Sequence, residues 1–420
     1  MSTSSNTNSW AIWIVAAIFY LYELVLRVAP SVMTDRLMES FGATSTVLGV
    51  LVSFYYYSYT ILQLPCGVIV DKLGPRNLIG LSALLCVAGT AMFASAEAVH
   101  VAQIGRFMVG AGSACAFVSC LQIAASLFHK KYFVILVGIT NMMGTMGGLL
   151  GGYPIARLVN GIGWRNTMYW LAALGIIIIA LVFIVIPGNA RDDIPSDSDK
   201  KPSSSIADII SLLKNWQVVL PSIISGFMYL TISVFAELWV VSFFIAKYDI
   251  GNELASSAAA SVFIGIAVGS LVLAAYARRI KSYVSTIRMS AGLTALLFLM
   301  LIYIPFGFYM SLAVVFAIGF LTGAQAINFT CAKNSASPET AGTTVAFSNC
   351  IVMLIGAIFQ PTLGVILDYF WNNTVGDDGI RIYDAACYSC AMLVIPVFLI
   401  IAYSLSFYLK ETIHMEHEQS

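Results

Sequence analysis

Four ionisable side chains sit where an apolar sequence makes them costly. Glu23 and Arg27 lie in one long apolar stretch, Arg106 in a second and Glu237 in a third. A charged group in hydrocarbon costs about 2.5–3.5 kcal/mol on insertion scales, so such residues are usually functional. Glu23 and Arg27 are four apart and share a helix face, with Tyr20 and Trp13 on the same stripe. They form either an internal ion pair that lowers the cost of burial or a charged patch facing a cavity; the second reading is preferred. Glu237 follows Tyr229 and Ser233 at helical spacing. A buried carboxylate is suited to take up and release a proton, or to hold a substrate ammonium group. Arg106 could pair with Glu23, pair with Glu237 or bind an anion, and a purely structural role is an equal alternative.

Uncharged polar residues add to this set. Ser53, Tyr56, Thr60, Gln63 and Gly67 follow steps of three and four and predict one polar helix face. Tyr56 and Gln63 are the candidates on it, while Tyr55, Tyr57 and Tyr59 are expected to point elsewhere. Asn141, Gln325, Asn328, Asn349 and Gln360 are further polar groups in apolar surroundings, as binding groups or as glue between helices.

The elements that must position these residues are membrane spans. The chain has 420 residues, of which 59% are apolar and only 10% charged. That excludes a soluble globular fold and a disordered chain. The 21 basic and 21 acidic residues cancel, so no global field points to nucleic acid. A span needs about 20 apolar residues. Twelve stretches qualify: 10–33, 47–70, 77–95, 101–128, 133–159, 164–187, 216–246, 257–277, 284–304, 308–331, 341–367 and 385–409. Backbone polar groups must bond internally in lipid, so these are predicted to be helices. The expected fold class is an all-α integral membrane protein.

Loop charges set the expected orientation. With the N-terminus inside, the inner segments hold Lys72, Arg76, Lys130, Lys131, Arg191, Lys200, Lys201, Lys214, Arg278, Arg279, Lys281, Lys333 and Lys410. The outer ones hold Arg36, Arg157, Arg165, Lys247 and Arg381. Both termini are therefore expected in the cytoplasm, and the uncharged first nine residues suggest no cleaved signal peptide. The polar run GNARDDIPSDSDKKPSSS (188–205) divides the spans into halves. The expected organisation is an N-terminal six-helix bundle (1–187), a cytoplasmic linker (188–214), a C-terminal six-helix bundle (215–410) and a tail (411–420). A faint repeat supports it: Val137-Gly138-Ile139-Thr140-Asn141 matches Val345-Ala346-Phe347-Ser348-Asn349, and a proline follows each, Pro154 and Pro361.

The loop after the second span reads Gly67-Val68-Ile69-Val70-Asp71-Lys72-Leu73-Gly74-Pro75-Arg76. It resembles the G-x-x-x-D-[RK]-x-G-[RK]-[RK] loop of the major facilitator superfamily. Gly67, Asp71, Lys72, Gly74 and Arg76 match, and Pro75 departs from the pattern. Span four carries Arg106-Phe107-Met108-Val109-Gly110-Ala111-Gly112, similar to that family's R-x-x-x-G-x-G helix. Span five carries Gly144, Gly147, Gly148, Gly151, Gly152 and Pro154, similar to its gating helix. The resemblance implies two pseudo-symmetric six-helix bundles that rock around a central site. It also implies a cytoplasmic latch, in which Asp71 faces the start of the eleventh helix and Glu339 pairs with Lys72 or Arg76.

The resulting expectation is a secondary active transporter moving a small polar solute, an amino acid or small organic acid, by alternating access with proton symport. A proton-coupled exporter of drugs or metabolites on the same fold is the nearest competitor, and a channel is a competitor of another class. No enzyme, cofactor or metal site is expected. Cys387-x-x-Cys390 lacks a redox or metal context, and Asn372-Asn373-Thr374 is a chance-level glycosylation match. Asp368 and Asp384, at span ends, are read as ordinary interface charges, and Arg288 as reaching the interface by snorkelling. The expected partners are a small-molecule substrate, protons and the lipid bilayer, with no nucleic acid. The expected setting is a monomer in a bacterial inner membrane. A fluorescent protein fused after Ser420 should therefore fluoresce in cells, while an exported phosphatase fused there should be inactive. The opposite pattern would reverse the orientation.

Overall fold

The computed structural model describes residues 3–187, 206–337, 340–376 and 381–413. Among these, regular structure is helical apart from one isolated bridge between Val375 and Arg381. Twelve helices are long and apolar enough to cross a membrane. They are α1 (Ser9–Val32), α2 (Ser45–Cys66), α3 (Leu73–Ser95), α4 (Val99–Leu127), α5 (Ile135–Ile162) and α6 (Trp164–Val185), followed by α7 (Trp216–Tyr248), α8 (Asn252–Arg279), α9 (Tyr283–Tyr303), α10 (Phe308–Asn334), α11 (Ala341–Tyr369) and α12 (Ala385–Tyr408). Each corresponds to one expected apolar stretch, with ends displaced by a few residues. Of the sequence 188–214, read above as a linker, 188–205 lies outside the described residues. Its remaining residues form a short helix, Ile206–Lys214, which buries Leu212 against Val218, Ala332 and Phe347.

The chain packs as two compact units that interleave in sequence. Unit 1 holds Met1–Ala29 and Phe54–Ser203; unit 2 holds Pro30–Ser53 and Ser204–Ser420. The chain thus leaves unit 1 inside α1 and re-enters it inside α2. Proline explains the first crossing. Pro30 has no N–H, so the α-helical part of α1 ends at Val28 and a 3-10 turn, Ala29–Val32, follows.

Within unit 1, α5 lies directly on α1. A Cβ at Gly144 would fall 2.8 Å from the Tyr20 ring, and one at Gly147 would fall 2.5 Å from the Leu21 carbonyl oxygen. The glycine run of span five therefore serves close packing on α1. At the start of α3 the chain turns at Gly74, whose φ of +71° suits a residue without a Cβ. Arg76 donates to the Phe183 carbonyl (2.9 Å) near the end of α6. The side chains of Asp71 and Lys72, Gly67, and Glu339 lie outside the described residues, and with them the expected latch.

Within unit 2, α7 is wound as a π-helix over Thr231–Trp239. Arg288 does not snorkel freely: it donates to Ser406 Oγ and the Ser406 carbonyl (both 3.2 Å) and lies over the Phe407 ring, which ties α9 to the end of α12. Glu411, just past α12, accepts at the start of α9. Its donors are Ser282 Oγ (2.7 Å) and the N–H groups of Tyr283 (3.1 Å) and Val284 (3.2 Å), joined by the N–H groups of Thr412 (3.0 Å) and Ile413 (3.2 Å). Burial raises the Glu411 carboxyl, but these donors outweigh it and hold the group below its ordinary value of 4.5. A lowered carboxyl contributes stability that is present above its unfolded value and is lost as pH falls through its folded value. Glu411→Gln should thus lower the melting midpoint of the purified protein at pH 7. The gap to wild type should close as pH falls below 4.5; a gap independent of pH would make the contribution one of packing alone.

Candidate functional site

The break in α1 creates a need that Arg106 meets. Because Pro30 lacks an N–H, the Leu26 carbonyl four residues earlier loses its helical partner. Arg106, from α4, donates through Nη1 to the Leu26 oxygen at 2.8 Å and through Nη2 to the Arg27 oxygen at 3.4 Å. Arg106 is 1% exposed. Its guanidinium therefore closes the end of the α1 helix from inside unit 1.

Around this closure the other charged candidates assemble. Glu23 and Arg27 are both buried. Tyr55 on α2 donates its hydroxyl to Glu23 Oε2 at 2.9 Å. Arg27 Nη2 donates to the Tyr56 hydroxyl at 3.3 Å. The Tyr55 ring lies 5.5 Å from the Arg27 guanidinium and 5.1 Å from that of Arg106, and Arg27 also lies 5.0 Å from the Tyr56 ring. Aromatic faces attract desolvated cations by about 2 kcal/mol. The outcome is a buried cluster of two guanidiniums and one carboxylate, with tyrosines between them.

The sequence reading set Tyr55 off the polar face and not among the candidates, yet its hydroxyl reaches Glu23 on α1. Adjacent helix residues differ by about 100°, so a single stripe cannot contain both Tyr55 and Tyr56. Both rings are nonetheless buried, at 0% and 1% exposure. α2 is buried over more than one face, and Tyr55 also stacks on Tyr59. The usable signal was the tyrosine run itself, 55, 56, 57 and 59, which a single-face test discards.

The remaining candidates are scattered. Tyr20 is half-buried, packed on Gly144 and 5.4 Å from the Phe117 ring. Gln63 is buried, and its Oε1 has no hydrogen-bond partner among the described residues. Asn141 is exposed and Asn349 half-buried. In unit 2, Glu237 is buried inside the π-helix of α7. A π-turn leaves backbone groups off the regular ladder and often marks a functional site. Here Gln360 Nε2 on α11 donates to the Ser233 carbonyl at 2.8 Å. Gln325 Nε2 donates to Ser225 Oγ (2.7 Å), and Asn328 Nδ2 donates to Met228 Sδ (3.6 Å). Gln325 and Asn328 thus link α10 to α7. Among the described residues no group of three His, Cys, Asp or Glu is placed to hold a metal.

Comparison with known proteins agrees with this architecture. The family model described as Major Facilitator Superfamily matches residues 5–361, and the chain belongs to that family of membrane transporters. A probable L-galactonate transporter of Escherichia coli is 24% identical over 281 residues, 64% of this chain and 60% of that one. A choline/ethanolamine transporter of Danio rerio is 25% identical over 391 residues, 85% of this chain and 78% of that one. The chain spans only 35%, 38% and 60% of the length of the first three curated relatives it matches. The fold is similar to that of a bacterial homologue of the human lysosomal transporter Spinster. The TM-score is 0.78, with 15% identity and 97% of both chains covered.

The cluster makes a sharp prediction about Tyr55. Tyr55→Phe keeps the ring and removes a donor to a buried carboxylate, which costs about 1–3 kcal/mol. The melting midpoint in detergent should fall, whereas Tyr57→Phe should leave it in place. An unchanged midpoint for Tyr55→Phe would show that the hydroxyl contributes nothing to the cluster.

Proposed function

We propose that this transporter imports a small carboxylate, an amino acid or small organic acid, by proton symport across a bacterial inner membrane. One observation carries the reading: the buried cluster of unit 1 holds two guanidiniums against a single carboxylate. A substrate carboxylate supplies the missing negative charge. Arg27 is the residue that grips it, since a guanidinium matches a carboxylate in a two-bond fork. Arg106 is occupied by backbone carbonyls and acts by fixing α1, while Tyr55 and Tyr56 orient Glu23 and Arg27. Glu237 in unit 2 carries the proton. The L-galactonate relative, named for a carboxylate, supports the same class of substrate.

A second reading has its own observation. Glu237 is an acid buried in the π-helix of unit 2, and the Danio rerio relative is named for choline and ethanolamine, both cations. In that reading Glu237 holds a substrate ammonium group.

Uptake into proteoliposomes separates the two. Labelled L-galactonate, other aldonates, amino acids and choline would be tested with and without an inward proton gradient. The proposal expects gradient-stimulated uptake of a carboxylate. Arg27→Lys should lower its kcat/KM about tenfold or more, equivalent to about 1.4 kcal/mol or more of lost binding. Glu237→Gln should abolish gradient-driven uptake and keep counterflow exchange. Choline uptake without carboxylate uptake would favour the second reading, and gradient-driven extrusion of every solute moved would overturn import.

A further inference from the structure

Asp368 stands in an unfavourable place on its own helix. It is the next-to-last residue of α11, where the helix dipole is negative and a carboxylate is disfavoured. Its compensation comes from the start of α2. The first N–H groups of a helix have no internal acceptor and carry the positive end of the dipole. Thr46 donates to Asp368 Oδ2 through both its N–H (2.9 Å) and its hydroxyl (2.5 Å). Arg381 Nη1 donates to Oδ1 at 3.2 Å, and the Tyr383 hydroxyl donates to the same oxygen. The Ser45 N–H in turn donates to the Tyr383 hydroxyl at 3.3 Å. One carboxylate thus gathers the beginning of α2, the end of α11 and the strand-like run before α12.

The helices also meet closely here. A Cβ on Gly364 of α11 would lie 2.3 Å from the Ser45 carbonyl oxygen, and one on Gly49 of α2 would lie 2.7 Å from that of Gln360. Elsewhere the segment buries apolar side chains, among them Val32, Leu37, Leu48 and Leu51, and makes further polar contacts. Thr34 Oγ1 pairs with Ser242 Oγ (2.7 Å), and Asn252 Nδ2 donates to the Val32 carbonyl (2.7 Å). All these residues belong to unit 2, although 30–53 lies in sequence between two segments of unit 1.

We infer that Asp368 is a releasable latch for the segment Pro30–Ser53. The segment hangs from unit 1 at both ends, begins at the proline break, and at the start of α2 is fastened to the rest of unit 2 by hydrogen bonds centred on one carboxylate. The hydrogen bonds at Asp368 can be exchanged for water at low net cost. Release of Asp368 frees the start of α2 and lets the segment leave α11 during the transport cycle. This inference rests on the chain being a transporter and is independent of which solute it carries.

Hydrogen–deuterium exchange of the full chain in lipid nanodiscs tests it without a substrate. In the wild type, amides of residues 44–53 should exchange at least about tenfold faster than those of 103–112 around Arg106, because the latch opens while unit 1 stays folded. Equal protection of the two stretches would make Asp368 a fixed staple and overturn the latch. Asp368→Asn keeps the shape but turns one acceptor into a donor. It should speed exchange at 44–53 by about three- to tenfold, the scale of a lost helix cap, and leave 103–112 unchanged. Thr46→Val should act in the same direction, and the double variant should be no faster than Asp368→Asn, since both remove one interaction. No change at 44–53, or independent additive effects, would overturn the assignment. Equal acceleration at 103–112 would count against it too, by showing general loosening.

Discussion

A backbone carbonyl stripped of its partner inside a membrane must find another donor, and the Leu26 carbonyl is such a group. Pro30 removes its helical partner, and Arg106 replaces it. Much of unit 1 follows from that replacement. To reach the carbonyl, Arg106 must be buried, and a buried guanidinium needs counter-charge and aromatic faces. The Tyr55 ring lies beside it, and the Tyr55 hydroxyl holds the Glu23 carboxylate. Arg27, one residue beyond Leu26, is held in the same surroundings by Tyr56. The break in α1 and the charged cluster are one arrangement: the proline makes the demand, and the arginine meets it with a charge that shapes the site.

Unit 2 treats its corresponding helix differently. α7 has no proline at its centre and departs from the α-helix by widening into a π-turn, supported where Gln360 bonds the Ser233 carbonyl. Both α1 and α7 therefore carry a backbone irregularity beside a buried charge, and in each a side chain from a neighbouring helix satisfies an irregular carbonyl. The acid in unit 2 is Glu237, buried within the irregular stretch itself. Such helices combine rigidity away from the break with local freedom at it, as conformational change in a transporter requires.

The twelve helices were legible from hydropathy, because hydrocarbon permits little else over 20 apolar residues. Glu23, Arg27, Arg106 and Glu237 were legible for the same reason: a charge in such a run stands out. Tyr55 was not, because a helix buried on several faces has no single stripe to read. The π-helix left no mark in the residue pattern. Asp368 resembled an ordinary charge at a span end, since its donors come from Thr46, 322 positions away. The interleaving of the units was hidden as well. Halves of the sequence suggest halves of the structure, yet Pro30–Ser53 packs with the second unit through pairings no local pattern encodes.

The central claim is that the guanidinium-rich cluster of unit 1 receives a carboxylate. Thermal shifts of the purified transporter with paired ligands, each small carboxylic acid beside its neutral amide, test this directly. The account predicts that at least one acid raises the melting midpoint in proportion to its concentration, that its amide does not, and that Arg27→Lys removes the shift. Equal stabilisation by acid and amide, or stabilisation by quaternary ammonium compounds alone, would contradict it.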